Sequence, residues 1–143
     1  MARTLRLLLG TLAIALSLNL AACSHTKDKQ KALGGVEAAD ASDKEVQQMV
    51  DFSLRVYNEE NNDLYYSRAV KVLSARQQVV NGMMYYLQIQ VGRTTCTKSQ
   101  SYLADCPFRE QPAQQKKEIC SFVVYTVPWL HEISMEDYSC HSA

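Results

Sequence analysis

Four cysteines, Cys96, Cys106, Cys120 and Cys140, lie in the second half of a 143-residue chain and restrict how it can fold. An even set of cysteines in a short exported domain is typical of two disulfides, and four cysteines allow three pairings. Pro128 lies near the midpoint between Cys120 and Cys140 and separates two runs of alternating polarity. If the chain turns there and pairs back on itself, Cys140 returns to the neighbourhood of Cys120. The pattern therefore predicts disulfides joining Cys120 to Cys140 and Cys96 to Cys106.

The amino-terminal residues 1–24 are typical of a secretory signal peptide that is removed from the mature protein. Two arginines precede an uncharged run over residues 7–20, and small residues follow it. As a helix this run would span about 21 Å, less than the roughly 30 Å of a bilayer core, which disfavours a membrane anchor. We therefore expect a secreted, extracellular protein of residues 25–143.

The position of signal cleavage has two candidates. Cleavage after Ser24 removes Cys23, whereas cleavage after Ala22 leaves Cys23 as an unpaired thiol. The same stretch also matches a bacterial lipoprotein box, which would place a lipid on Cys23. We prefer cleavage after Ser24.

Composition and charge exclude several classes of protein. Fifteen basic residues balance fifteen acidic ones, and no segment concentrates the basic residues, which argues against a nucleic-acid partner. A hydrophobic content of 47% is enough for a buried core, and the length suits one domain. The cysteines lack a C-x-x-C pair and the three histidines form no cluster, so we expect neither a metal nor a cofactor.

One amphipathic helix is predicted near the start of the mature chain. Ser42 and Glu45 have the spacing of a capping box, and the helix is expected to continue to Asn58. A polar loop over residues 59–63 follows it. The apolar or small residues that recur at helical spacing are Val46, Met49, Val50, Ser53, Leu54 and Tyr57.

Strands are predicted over the rest of the domain. Residues 64–77 and 83–91 alternate in polarity, and Asn81 followed by Gly82 between them is a strong hairpin signal. A polar connection over residues 94–117 leads to strands at 119–127 and 133–138. The sequence predicts an α+β fold, with one long helix packed on an antiparallel sheet of four or five strands.

Three segments place apolar residues where loops are usually polar. An exposed apolar turn suggests that a partner binds there, and tryptophan is enriched at binding hot spots. For residues 25–36 a disordered terminus is the alternative interpretation. The segments contain Ala32 and Leu33 before Gly34 and Gly35, then Val79 and Val80 after Gln78 and before Asn81 and Gly82, and finally Pro128 with Trp129.

Signatures of catalysis are missing from the sequence. There is no G-x-S-x-G, no phosphate-binding glycine loop and no H-E-x-x-H, and the four cysteines are predicted to be paired. The carboxylate pairs at residues 59–60 and 136–137 are interpreted as solvated charges. We therefore predict a binding protein rather than an enzyme.

These motifs resemble those of the type 2 cystatins, secreted inhibitors of papain-like cysteine proteases. The resemblance rests on Gly34 and Gly35, on the run from Gln78 to Gly82, on Pro128 with Trp129, and on the cysteine pattern. It covers essentially the whole mature chain. It implies the cystatin fold and a reversible, tight-binding inhibitor of papain-like proteases such as cathepsins.

The resemblance also implies how the inhibitor works. An amino-terminal arm and two hairpin turns form a wedge that enters the protease cleft and blocks it sterically. Leu33 would fill the second subsite of the protease and Ala32 the third, with Gly34 as a hinge. Among the other residues, Val79, Val80 and Gly82 would approach the catalytic cysteine, and Pro128 and Trp129 would pack on the primed side.

A second binding site is suggested by Asn62. Some type 2 cystatins present an asparagine at this position to legumain, an asparagine-specific endopeptidase; an asparagine that ends the helix is the alternative. We expect a monomer, although strain at Val79 and Val80 would make a domain-swapped dimer plausible. The competing function is a cystatin-fold binding or host-defence protein without protease inhibition.

Overall fold

The computed structural model of this chain describes residues 34–100 and 102–143. The predicted signal peptide, together with Ala32 and Leu33, lies outside the described residues. Residues 35–143 form one structural unit. Among the described residues, no helix combines the length and the apolar character needed to cross a bilayer.

Within the described residues, the fold consists of one long helix, one short helix and five strands. A two-residue strand, β1, precedes the long helix α1, and a four-residue helix α2 lies between β3 and β4. A 3-10 turn at Pro128–Leu130 joins the last two strands. The bounds are β1 Glu37–Ala38, α1 Lys44–Glu60, β2 Tyr65–Val79, β3 Met83–Thr97, α2 Pro112–Gln115, β4 Glu118–Val127 and β5 Glu132–Ser142.

The strands form one antiparallel sheet in the order β1-β2-β3-β4-β5. Strands β2 and β3 form a long hairpin that ends with Val79 opposite Met83. Strands β4 and β5 form a second hairpin, and Met83 on β3 pairs with Thr126 on β4. Because neighbouring strands run in opposite directions, the β2–β3 and β4–β5 turns lie at the same end of the sheet.

The core lies between α1 and one face of the sheet. All the helix positions predicted from the 3.6-residue period are buried, which confirms that face of the helix. The sheet contributes alternate residues of β3 and β4, as expected for strands with one covered face. The core cluster consists of Val46, Met49, Val50, Leu54, Tyr57, Tyr85, Leu87, Ile89, Val91, Cys120, Phe122 and Val124.

The predicted capping box is wrong. The N-cap of α1 is Asp43, and within the described chain no side-chain hydrogen bond caps this helix end. The Ser42 hydroxyl donates instead to Asp40 Oδ1 at 2.7 Å, because a local turn at residues 40–43 competes for it. The helix also continues to Glu60, so residues 59 and 60 are helical and not part of the following loop.

Strand β3 is longer than predicted. It continues to Thr97, whereas the polar connection was expected to begin at Thr94. Thr94 is fully buried although it is polar, since its hydroxyl donates to the Tyr66 carbonyl of β2 at 2.6 Å. Hydrogen bonding between strands therefore outweighs the polar character of this segment.

Both predicted disulfides are confirmed. Cys96 is bonded to Cys106, and Cys120 is bonded to Cys140. The second pair joins residues directly opposite each other on β4 and β5, which is the register that a turn at Pro128 predicts.

Candidate functional site

The first turn, residues 79–82, presents two valines to solvent. Val79 is 65% exposed and Val80 is 41% exposed. Asn81 and Gly82 have φ values of 51° and 137°, so both occupy the positive-φ conformations predicted from the Asn-Gly pair. The Val80 N–H donates to the Gly82 carbonyl at 3.0 Å, which closes the tip.

The second turn, residues 128–131, presents two more large apolar side chains. Trp129 is 65% exposed and Leu130 is 57% exposed. Pro128 begins the 3-10 turn with its φ already fixed, and His131 ends it in the left-handed conformation with φ 53°. The His131 N–H donates to the Pro128 carbonyl at 3.2 Å. Trp129 is therefore a surface residue and not part of the core.

The first turn contacts strand β4 just before the second turn, through the backbone and one tyrosine. A Cβ atom at Gly82 would lie 2.7 Å from the Thr126 carbonyl oxygen, so only glycine allows this approach. The Tyr125 hydroxyl donates to the Asn81 carbonyl at 2.7 Å and lies 3.4 Å from the Val80 carbonyl. The sequence pattern identifies Val79, Val80 and Trp129 as separate features, and the sheet places them at the same end.

The start of the described chain leads toward the first turn. Glu37 of β1 pairs with Gln77 of β2, two residues before Val79, and Gly35 lies two residues before Glu37. Gly34 has φ 83°, a conformation that suits glycine. The Gln78 amide oxygen accepts a hydrogen bond from the Tyr86 hydroxyl at 2.9 Å. Ala32 and Leu33, predicted to extend the site, lie outside the described residues.

The loop after the helix, residues 61–63, is held from both sides while Asn62 is exposed. The Asn61 side-chain amide donates to the Tyr57 carbonyl at 2.9 Å, so Asn61 and not Asn62 ends the helix. The Lys98 ammonium donates to the side-chain oxygen of Asn61 at 2.8 Å. The alternative interpretation of Asn62 as a capping residue therefore fails.

Asp63 fixes the other side of this loop. Its Oδ1 accepts the Tyr65 N–H at 3.0 Å, and its Oδ2 accepts the Arg93 Nε–H at 2.7 Å. Burial by itself raises the pKa of the Asp63 carboxyl, but the hydrogen bonds from Tyr65 and Arg93 outweigh it and hold the pKa below its ordinary value. Asp63 is thus an ionised anchor at neutral pH.

Asn62 lies at the opposite end of the sheet from the two turns. Tyr65 pairs with Thr97 there, and Val79 pairs with Met83 at the other end of the same strands. Fourteen steps along β2 at about 3.3 Å each place these ends roughly 40 Å apart, allowing for twist. The predicted site residues therefore form two separate groups.

One set of metal-ligand atoms comes together within residues 34–100 and 102–143. It consists of Glu118, Cys120 and Cys140. The two sulfur atoms are joined to each other in a disulfide and are not thiolates, which are the form that binds metals. This group is not a candidate metal centre.

Comparisons with known proteins agree with this geometry. The sequence profile of the cystatin domain matches residues 34–129. Mouse cystatin-D is 52% identical over 134 residues, covering 91% of this chain and 90% of that protein. Rabbit cystatin-C is 48% identical over 139 residues, covering 96% and 94%. The chain belongs to the cystatin family.

Solved structures show the same fold for this cystatin. Dimeric human cystatin F superposes with a TM-score of 0.71 at 29% identity, covering 78% of this chain and 89% of that one. The predicted fold, one long helix on an antiparallel sheet, is confirmed, and the sheet has five strands.

Two residues at the turns of this cystatin were missed by the sequence reasoning. Leu130 carried the same signal as Trp129, an apolar residue in a turn, and could have been found. Tyr125 carried no signal, because alternation along β4 does not show which carbonyl a side-chain hydroxyl will reach.

Proposed function

We propose that this cystatin is a secreted, reversible, tight-binding inhibitor of papain-like cysteine proteases such as cathepsins. The observation that carries the proposal is that the sheet places both turns at one end, where Val79, Val80, Trp129 and Leu130 are exposed. Its membership of the cystatin family and its similarity to cystatin-C support the same function. The inhibitor acts as a wedge that fills the protease cleft.

The wedge gains affinity because its two turns are already in place. The Gly82 contact with Thr126 and the Tyr125 hydrogen bond hold the first turn against β4, and the His131 N–H bond to Pro128 closes the second turn. Little ordering entropy therefore opposes association. Exposed apolar side chains at the turns lose contact with water when they enter the cleft, which favours binding at about 25 cal/mol per Å².

The amino-terminal arm, residues 25–36, is the third part of the wedge. Leu33 enters the second subsite of the protease and Ala32 the third, with Gly34 as the hinge. The positive φ of Gly34 and the pairing of Glu37 with Gln77 support this assignment, since they lead the chain toward the first turn.

Titration of papain with refolded residues 25–143 tests the proposal. We expect stoichiometric, reversible inhibition at nanomolar protein, because three apolar elements bind together. Subtilisin, a serine protease of a different fold, is the control and should retain full activity. A correctly folded protein that leaves papain active at micromolar concentration would favour a cystatin-fold binding or host-defence protein instead.

We also propose that Asn62 is a second inhibitory site, for the asparagine-specific protease legumain. It is supported by the exposure of Asn62 between two anchored neighbours, Asn61 and Asp63. Because the loop is already fixed, binding of Asn62 costs little conformational entropy. Legumain activity measured with and without the protein is the test.

Secretion through the signal peptide of residues 1–24 completes the proposal. Expression of the full chain in cultured mammalian cells, followed by mass spectrometry of the medium, should give an amino terminus at His25. An amino terminus at Cys23 would place cleavage after Ala22, and protein retained in the cells would contradict secretion.

A further inference from the structure

The backbone carbonyls of residues 80–82, at the tip of the first turn, are engaged inside the protein. The Asn81 oxygen accepts the Tyr125 hydroxyl at 2.7 Å, and the Val80 oxygen lies 3.4 Å from the same hydroxyl. The Gly82 oxygen accepts the Val80 N–H at 3.0 Å. These three carbonyls belong to the peptide bonds that follow residues 80, 81 and 82, and cleavage of any one of them would open the tip.

A protease needs the carbonyl that it attacks to be free. The nucleophile attacks the carbonyl carbon, and the oxygen must enter an oxyanion hole that donates hydrogen bonds to it. A carbonyl oxygen that is already bonded to its own protein must first give up that bond and rotate. The hydrogen bond to Tyr125 therefore opposes cleavage at Asn81 and, more weakly, at Val80.

Tyr125 is well placed to hold the turn because its own position does not depend on the turn. It lies within β4 and pairs with Met84 of β3 in the sheet. Its ring edge would lie 3.1 Å from a Cβ at Gly82, so the ring also packs against the tip. Replacement by phenylalanine keeps the ring and removes only the hydroxyl.

We propose that the Tyr125 hydroxyl is a positioning group that prevents the first turn from being cleaved as a substrate. It holds the Asn81 carbonyl toward the body of the protein while Val79 and Val80 face outward. This explains how an exposed, protease-facing loop survives contact with an active site. The protection is a property of the turn and acts against any protease.

Limited proteolysis of Tyr125→Phe by subtilisin tests the proposal independently of the inhibitory function. We expect cleavage at residues 80–82 to become about fivefold faster than in the wild type, the effect of losing one hydrogen bond. The fragments are identified by mass spectrometry over time. Tyr138→Phe is the matched control, since it removes a hydroxyl that donates to Glu60 at 2.5 Å on another part of the sheet.

Two results would overturn the proposal. Equal cleavage rates at the turn in wild type and Tyr125→Phe would show that the hydroxyl gives no protection. Cleavage spread along the whole chain, together with a lower melting temperature, would show that Tyr125 only stabilises the fold.

A papain experiment extends the test and rests on the proposed function. In excess papain, inhibition by Tyr125→Phe should decay with time as the turn is cut, whereas the wild type and Tyr138→Phe should keep inhibiting. If wild-type protein does not inhibit papain at all, the proposed function fails, and the subtilisin comparison still decides the role of Tyr125.

Discussion

At the scale of single residues, the absence of a side chain at Gly82 sets how closely the first turn approaches strand β4. A methyl group there would collide with the Thr126 carbonyl, a backbone atom that cannot move aside without shifting β4. The φ of 137° adds a second reason for glycine at this position. The spacing between the first turn and β4 is thus fixed by the backbone, and the exposed side chains of the turn can vary without changing it.

Trp129 gives a prediction at this scale. Because it is 65% exposed, Trp129→Ala should remove binding surface and little stability. We expect papain inhibition to weaken about thirtyfold, or about 2 kcal/mol, with an unchanged melting temperature. Inhibition assays and thermal unfolding of the same preparation measure both. Phe122→Leu, a change in the core, is the control that should lower stability and leave the affinity of the folded protein unchanged. A destabilised Trp129→Ala variant with full affinity would contradict the prediction.

Asp63 gives a second prediction, about stability in acid. Its pKa is below the unfolded value of about 3.9, so its contribution to stability is complete above that pH and is lost as the pH falls through the folded pKa. The free energy of unfolding should therefore decrease as the pH falls below about 4. Asp63→Asn should show a shallower decrease in urea unfolding over this range.

Asp137→Asn is the control for Asp63, because it removes an exposed carboxylate from β5. It should leave the pH dependence close to that of the wild type. Identical slopes for Asp63→Asn and the wild type would mean that the contact between Asp63 and Arg93 does not contribute to stability.

The residues of the turns could be predicted from the sequence, whereas the bonds that hold them could not. The positive φ values of Asn81 and Gly82 follow from their residue types. The exposure of Trp129 follows from its place in a turn after proline. The role of Tyr125 depends on the distance between its hydroxyl and the Asn81 carbonyl. Ser42 does not cap the helix because its hydroxyl donates to Asp40 instead. Such choices depend on tertiary geometry, which a single sequence does not contain.

At the scale of elements, the periods of the helix and the strands were predictable and their ends were not. The buried face of α1 and the turn between β4 and β5 follow from periodicity and from proline. The end of β3 depends on Thr94, whose burial requires the Tyr66 carbonyl and a bridge to Phe108 far along the chain. When a neighbouring strand provides the hydrogen-bond partners of polar residues, the sequence alone predicts a loop where the structure has a strand.

The arm gives a prediction at this scale. Removal of residues 25–33 should weaken inhibition most for proteases whose second subsite is deep and apolar. There the burial of Leu33 contributes roughly 1.5–3 kcal/mol, and in a shallow subsite much less. Inhibition constants of the full-length and truncated proteins against a panel of papain-like enzymes give the comparison.

Leu33→Ala in the full-length protein is the control for the truncation and should reproduce most of its effect. An equal loss of affinity for all the enzymes would show that the arm adds contact area and no selectivity.

At the scale of the whole molecule, the two proposed sites lie at opposite ends of the same long hairpin. A protease docked on the turns leaves Asn62 uncovered, so one molecule should hold papain and legumain together. Asn62→Lys should abolish legumain inhibition and leave papain inhibition unchanged. The legumain pocket that recognises the asparagine amide would have unpaired polar groups if lysine took its place. Inhibition assays with each enzyme, and size-exclusion chromatography of the three-component mixture, are the measurements.

Ser99→Lys is the matched control for Asn62→Lys. Ser99 is exposed and follows Thr97, the partner of Tyr65 at this end of the sheet, so the variant adds the same charge nearby and keeps Asn62. It should inhibit legumain as the wild type does. Wild-type protein that does not slow legumain at micromolar concentration would leave Asn62 as an ordinary loop residue.

The position of the disulfide between Cys120 and Cys140 has a practical consequence for damage at the two turns. A cut anywhere in the second turn leaves both pieces covalently joined, because the broken bond lies inside the ring that this disulfide closes. A cut in the first turn lies outside both rings, since all four bonded cysteines follow it in the chain. Of cuts at the two turns, only one in the first turn would therefore separate the protein into two bands on a gel without reductant.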